Sequence, residues 1–295
     1  MVLVTGASGL LGRAVATAFA AAGWRVVGQA HARAQGGLVH ADLRSAEACG
    51  ALVAAAAPAC VVHVAAERRP DVCERDPAAT EPLNVEAVWN LGRGAAHAGS
   101  AFIYISTDYL WRGDRAPYAE DAPTQPPNSY GAQKRRGEHA ALAAHAGAVV
   151  LRVPVLYGPT RDLAESAVTA FAATVLAGVP ATIDDWQVRV PTFTPDVAAT
   201  CVRIAEASPA PAGILHYSSK DRLTRWGLVQ AFARMLRAPA EHVTRLEGPP
   251  PGAPRPYDCQ LDCARIEALG LAAPCTPFEE GARMVLRGAG VMGEE

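Results

Sequence analysis

The 295-residue sequence predicts an α/β fold: a doubly wound parallel sheet followed by a smaller α/β lobe toward the C-terminus. Three observations lead there. Short apolar runs alternate with Ala-rich helical stretches through the first half. Those runs are continuously apolar rather than alternating, as strands covered on both faces are. The first run feeds straight into a turn spaced as Gly6-x-x-Gly9-x-x-Gly12, and an amphipathic stretch follows.

Taken in order, strands are expected at 2–4, 25–28, 38–40, 61–64, 102–105 and 149–153, and helices at 10–22, 46–55, 79–97 and 129–144. Strand–helix alternation of this kind builds right-handed βαβ crossovers. Past Gly158 the pattern changes to frequent prolines and short turns. Thr194-Pro195-Asp196 reads as a cap with a first-position proline. Thr224 caps a stretch to about 236, and Asp262 caps 263–269, which Gly270 stops. Thr276-Pro277-Phe278-Glu279 reads as a capping box. The division expected is a nucleotide-binding domain over 1–160 and a smaller substrate or partner lobe over 161–295, with segments near 191–218 returning to the first sheet. No internal repeat is present.

Composition narrows the function. Half of the residues are apolar and the formal net charge is −2, which argues against a general nucleic-acid or membrane-surface binder. No apolar run has the length of a membrane span. Residues 1–4 read as a strand rather than as a signal peptide. The seven cysteines show no C-x-x-C pair, which suits reduced thiols in the cytoplasm. The eight histidines show no metal-ligand spacing, so no metal site is expected.

A glycine turn between a strand and a helix has a specific use. Gly6 permits the tight turn, Gly9 lets backbone approach a pyrophosphate, and Gly12 lets helix and strand pack closely. The helix N-terminus then offers unpaired N–H groups and partial positive charge to the anion. The end of the second strand, Val27-Gly28-Gln29-Ala30-His31-Ala32-Arg33, carries no acid for a ribose diol. Arg33, with His31, would instead meet a 2′-phosphate, which favours NADP. Asp42-Leu43 follows the third strand and offers an acceptor for an adenine amino group. Tyr130 and Lys134 lie at i and i+4 on one helix face. With the Thr107 hydroxyl at the preceding strand end, they form a set suited to hydride transfer between a nicotinamide and a carbonyl. In that set Tyr130 is the proton donor.

These motifs, with Arg152-Val153-Pro154-Val155-Leu156-Tyr157-Gly158, resemble the extended short-chain dehydrogenase/reductases. Ser106-Thr107-Asp108-Tyr109 is similar to the dTDP-4-dehydrorhamnose reductase (RmlD-like) branch. Four stretches are similar to a family of regulatory β subunits of methionine adenosyltransferase within that branch. They are Ala65-Ala66-Glu67-Arg68-Arg69-Pro70-Asp71-Val72, Glu165-Ser166-Ala167-Val168-Thr169, Trp186-Gln187-x-Arg189-x-Pro191-Thr192 and Gln260-Leu261-Asp262-Cys263.

The resemblance implies NADP contacts from Gly6, Ser8, Gly9, Leu10, Leu11, Gly12, His31, Arg33, Asp42, Leu43, Ala65, Ala66, Tyr130, Lys134 and Pro154. It implies a formal catalytic triad of Thr107, Tyr130 and Lys134. It also implies a partner, the catalytic subunit of methionine adenosyltransferase, whose S-adenosylmethionine synthesis this chain would modulate without required catalysis of its own. In that family the chain end is aromatic and basic and reaches into the partner, whereas residues 285–295 here are Gly-rich and acidic. The alternative is an NADPH-dependent reductase of a nucleotide-linked 4-keto-sugar, with Arg189, Lys220, Arg222 and Arg255 as candidate phosphate ligands. A scaffold that uses NADP as a folding ligand is a third reading.

Overall fold

A computed structural model of the chain describes residues 1–32 and 34–293. The chain opens with β1 (Val2–Thr5), α1 (Leu10–Ala21), β2 (Val26–Ala30), β3 (Val39–His40), α2 (Ala46–Ala56) and β4 (Cys60–His63). It continues with α3 (Pro70–Arg75), α4 (Pro77–Glu81), α5 (Ala87–His97), β5 (Ala101–Thr107), α6 (Ser129–Ala144) and β6 (Val149–Val153). One sheet collects these strands with β11 (Gly213–His216), in the order β11-β6-β5-β4-β1-β2-β3, and every pairing in it is parallel. The order turns around between β1 and β4. Open sheets of this kind bind ligands outside the strand ends at that point.

Both faces of the sheet are covered, which is why its strands carry no polar alternation. On one face Leu11, Val15 and Phe19 of α1 meet Val197, Cys201 and Ile204 of α8 (Thr194–Glu206) over Val4, Val62 and Leu151. On the other, Leu52 and Val53 of α2 and Val88 and Leu91 of α5 cover Leu3, Val61 and Val150. Cys60, the first residue of β4, is fully buried in this packing.

The remaining elements are β7 (Leu156–Tyr157), α7 (Ala170–Ala177), β8 (Ala181–Asp184), β9 (Val188–Arg189), β10 (Thr192–Phe193), β12 (Leu223–Thr224), α9 (Arg225–Leu236), β13 (Val243–Leu246), α10 (Ala264–Ala268) and α11 (Phe278–Gly288). Phe171, Phe232, Phe278 and Leu286 form a second apolar cluster there, with Tyr157 fully buried among them. The strands of this part pair two by two: β10 with β7, β12 with β9 and β13 with β8. No helix among the described residues is long and apolar enough to cross a membrane.

Three local expectations change. The helix expected over 79–97 is α4, a wide π turn over Pro82–Glu86, and α5. Pro82 brings no N–H to the helical ladder, and the widened turn turns Asn84 inward, where it is buried. Thr194 does not cap α8: the helix begins at Thr194 itself, and its buried hydroxyl has no hydrogen-bond partner. No local capping box opens α11. The Thr276 hydroxyl donates to Asp196 Oδ1 at 2.9 Å, and Phe278 N–H goes to Asp221 Oδ2 at 2.7 Å. Acids from elsewhere in the chain satisfy what the local motif would have satisfied.

Candidate functional site

The glycine turn sits at the carboxyl end of β1, where the sheet order reverses. Gly6 has φ +64°, and a Cβ there would lie 2.9 Å from the Ala65 Cα. A Cβ on Gly12 would lie 2.1 Å from the Gly6 carbonyl oxygen. Both positions therefore require glycine. The first turn of α1 has no side-chain cap and no acidic residue. Its uncapped N–H groups and positive dipole end are left to an anion, so this part of the chain fits a dinucleotide pyrophosphate. Ser8 is buried, Leu10 is half-buried and Leu11 points into the core.

Two side chains that the sequence reading passed over hold this cradle. Gln29, buried at the end of β2, accepts from Gly6 N–H at 3.0 Å and donates to the Ala41 carbonyl at 2.7 Å. It thereby locks β2 to the turn, from the position where an acid was sought. Asn84 accepts from Glu67 N–H at 2.9 Å and donates to Gln133 at 2.7 Å, fixing the Ala65-Ala66-Glu67 loop against α6. The only sequence signal for either is a polar residue inside an otherwise apolar or helical pattern.

The adenosine side is less uniform. His31 and His40 are exposed, with rings 5.3 Å apart. Asp42 is engaged by Arg44, 2.6 Å from its Oδ2, and that guanidinium holds its carboxyl down at about 2. Leu43 is buried against α2. Arg33 lies outside the described residues. Ala65 abuts Gly6, Ala66 is half-buried beside it, and Pro154 is buried just past β6.

Thr107, Tyr130 and Lys134 come together at the ends of β5 and α6. Asn128 caps α6 by accepting from Gly131 N–H at 2.9 Å, which sets the first turn carrying Tyr130. Gly131 is needed there because a Cβ would lie 2.1 Å from the Tyr109 carbonyl oxygen. Burial raises the Tyr130 phenol above its ordinary value, while contact with the Thr107 hydroxyl pulls the other way. Lys134 Nζ donates to the Ile105 carbonyl at 2.7 Å and stands 4.1 Å from the centre of the Tyr104 ring. Burial brings its ammonium down to about 7. His63 also stacks on Tyr104, ring centroids 5.7 Å apart, and hydrogen-bonds Thr5 at 2.7 Å. The whole set therefore rests on buried groups of β1, β4 and β5.

Asp108 is buried next to Thr107, and burial pushes its carboxyl up to about 6 against the pull of Arg189. Arg189, buried on β9, lies over the Tyr109 ring at 4.9 Å and hydrogen-bonds its hydroxyl, while its Nη1 has no partner. The Tyr109 and Tyr130 rings meet edge to face at 5.9 Å. The other candidate phosphate ligands do not converge here. Lys220 faces Glu267 at 3.4 Å, Arg222 pairs with Asp258, and Arg255 pairs with Asp71 at 2.6 Å.

A clasp joins the glycine turn to the second part of the chain. Arg13 on α1 makes a two-pronged pair with Glu165, at 2.8 and 2.7 Å, and also donates to the Ser8 carbonyl at 2.9 Å. Arg68 donates to the Glu165 carbonyl at 2.7 Å. Arg69 pairs with Glu67 at 2.7 Å and is exposed.

Comparison with known proteins gives four findings. The RmlD substrate binding domain family matches residues 1–289. The methionine adenosyltransferase 2 β subunit of Xenopus tropicalis is 41% identical over 286 residues, covering 95% of this chain and 85% of that protein. A probable dTDP-4,6-dihydroxy-2-methyloxan-3-one 4-ketoreductase of Streptomyces antibioticus is 35% identical over 279 residues, covering 92% and 89%. Among solved structures, the dTDP-4-dehydrorhamnose reductase of Bacillus anthracis in complex with NADP superposes with a TM-score of 0.83 at 21% identity, covering 97% of each chain.

Proposed function

The chain belongs to the RmlD substrate binding domain family, alongside the β subunits of methionine adenosyltransferase 2, and from that premise we propose that it is an NADP-binding regulatory subunit of a methionine adenosyltransferase. The observation that carries this reading is the 41% identity over 95% of the chain to a protein named as that subunit. Its partner is the catalytic subunit, and its effect is on the rate of S-adenosylmethionine formation. Residues 1–160 hold the cofactor, with α8 and β11 completing their sheet, and the rest of the chain from 161 onward faces the partner.

The chain's own residues perform the binding in stages. Gly6, Gly9 and Gly12 with Ser8, Leu10 and Leu11 seat the pyrophosphate on α1. His31, Asp42 and Leu43 flank the adenosine. Ala65, Ala66, Tyr130, Lys134 and Pro154 line the nicotinamide end. When bound, NADP would supply a hydride acceptor and, by binding the native state alone, stability. Thr107 and Tyr130 orient a carbonyl or hydroxyl at that end. Lys134, with its ammonium close to balance at neutral pH, holds the ribose hydroxyls.

A second reading, an NADPH-dependent 4-keto-sugar reductase, is favoured by the assembled Thr107, Tyr130 and Lys134 and by the 35% identity to a 4-ketoreductase. One experiment separates the two. The purified protein is mixed with the catalytic subunit from the same organism, with and without NADP, and followed by sizing chromatography and by S-adenosylmethionine formation. The regulatory reading expects co-elution and an altered rate, both retained by Tyr130→Phe. NADP binding with no complex, and NADPH oxidation on a nucleotide-linked 4-keto-sugar abolished by Tyr130→Phe, would establish the reductase.

A further inference from the structure

Five of the seven cysteines are buried in the packing. The two that are not, Cys263 and Cys275, line the same cavity of about 430 Å³, away from the glycine turn and Tyr130. Tyr217, Ser218, Arg203 and Lys220 complete the part of its wall that matters here. Both thiols grip one residue: Cys263 Sγ lies 3.5 Å from the Ser218 hydroxyl, and Cys275 Sγ donates to the Ser218 carbonyl at 3.4 Å. The Tyr217 hydroxyl stands 3.6 Å from Cys275 Sγ.

The placement has mechanical meaning. Cys263 is the residue from which α10 starts. Cys275 precedes Thr276, which hydrogen-bonds Asp196 in the first turn of α8. A bond between the two sulfurs would tie the start of α10 to the strap that leads into α11, across the end of β11.

We propose that Cys263 and Cys275 form a dithiol site that hydrogen peroxide converts to an intramolecular disulfide. The Cys275 thiolate attacks one peroxide oxygen, the O–O bond breaks, and sulfenic acid and hydroxide result. The Cys263 sulfur then displaces that oxygen: an S–S bond forms, the S–O bond breaks, and water leaves with the Cys263 proton. In sum, two thiols and one peroxide give one disulfide and two waters. Burial holds the Cys263 thiol protonated, up to about 11, which assigns it the resolving rather than the attacking role.

The site is independent of the NADP and partner readings, and its test uses the full reduced chain. The protein is exposed to a few equivalents of peroxide, alkylated, cut with trypsin without reductant, and analysed by mass spectrometry. Cleavage after Arg265 places Cys263 and Cys275 on separate peptides. The expected result is a linked pair of those peptides, 2 Da lighter than the sum of the reduced pair, that disappears on reduction. Cys263→Ser is expected to stop at a sulfenic acid on Cys275 that dimedone captures. Two results overturn the proposal: no linked peptide in the native chain once any cysteine has been oxidised, or peroxide-resistant thiols at both positions under conditions that oxidise free cysteine.

Discussion

At the scale of single residues, the site depends on atoms that are missing as much as on those present. Gly12 is the strictest case, since a methyl group there would press into the Gly6 carbonyl oxygen. Gly12→Ala is therefore expected to weaken NADP binding at least tenfold and to cost about 1–3 kcal/mol of stability, as overpacking against backbone does. Cofactor titration and urea denaturation check the two effects. The glycine spacing that announces this is visible in the sequence because backbone approach leaves a mark on residue type. Gln29 and Asn84 leave no such mark. Their roles come from what lies opposite them, Gly6 and Ala41 for one and Glu67 and Gln133 for the other. The reading of Lys134 and Tyr130 as neighbours on one helix face likewise contains no information about Ile105 or Tyr104. Those residues decide where the ammonium rests.

At the scale of elements, helix starts separate what is local from what is not. Thr224 caps α9 within four residues of chain, accepting from Gly227 N–H at 2.9 Å. Thr194 and Thr276 sit in equally suggestive sequence and do something else. The same substitution type should then have unequal effects. Thr224→Ala is expected to destabilise by about 1 kcal/mol, the ordinary worth of a cap. Thr194→Val removes a buried hydroxyl that has no partner and is expected to be neutral or stabilising. Thermal midpoints of the two variants, measured side by side, decide this. A Thr194→Val loss as large as that of Thr224→Ala would restore the capping role at α8. The π turn at Pro82–Glu86 belongs to the same lesson. Propensity predicts a helix through it, and one turn of that helix is widened at Pro82, which turns Asn84 inward.

At the scale of the whole molecule, the Arg13–Glu165 pair is the visible bond between the glycine turn and the second part of the chain. Hydrogen bonds from Arg13 and Thr160 hold the Glu165 carboxyl down at about 2 against the opposing effect of burial. A carboxylate whose folded value lies below its unfolded value stabilises the fold above the unfolded value, ordinarily about 4.5. That contribution is lost as pH falls toward 2. Stability is therefore expected to decline between about pH 4.5 and 2, and Glu165→Gln is expected to flatten part of that decline. Urea midpoints at pH 6 and pH 3 for both proteins measure it. An unchanged slope in Glu165→Gln would remove the clasp from the stability of the molecule. The clasp joins residues 152 positions apart, so no spacing rule connects them.

The sheet class, the glycine cradle and the shared helix face of Tyr130 and Lys134 follow from the order of residues, because each is written in a local period or spacing. Continuous apolar runs are what doubly covered strands need, and three glycines are what close backbone contact needs. Tertiary structure alone decided which polar side chains turn inward, which threonines cap, where Arg189 and Glu165 find their partners, and that Cys263 and Cys275 share one cavity. Those outcomes depend on which surfaces meet when distant segments pack. The cost of leaving a buried polar group unpaired then selects the partner, and no window of sequence contains that choice.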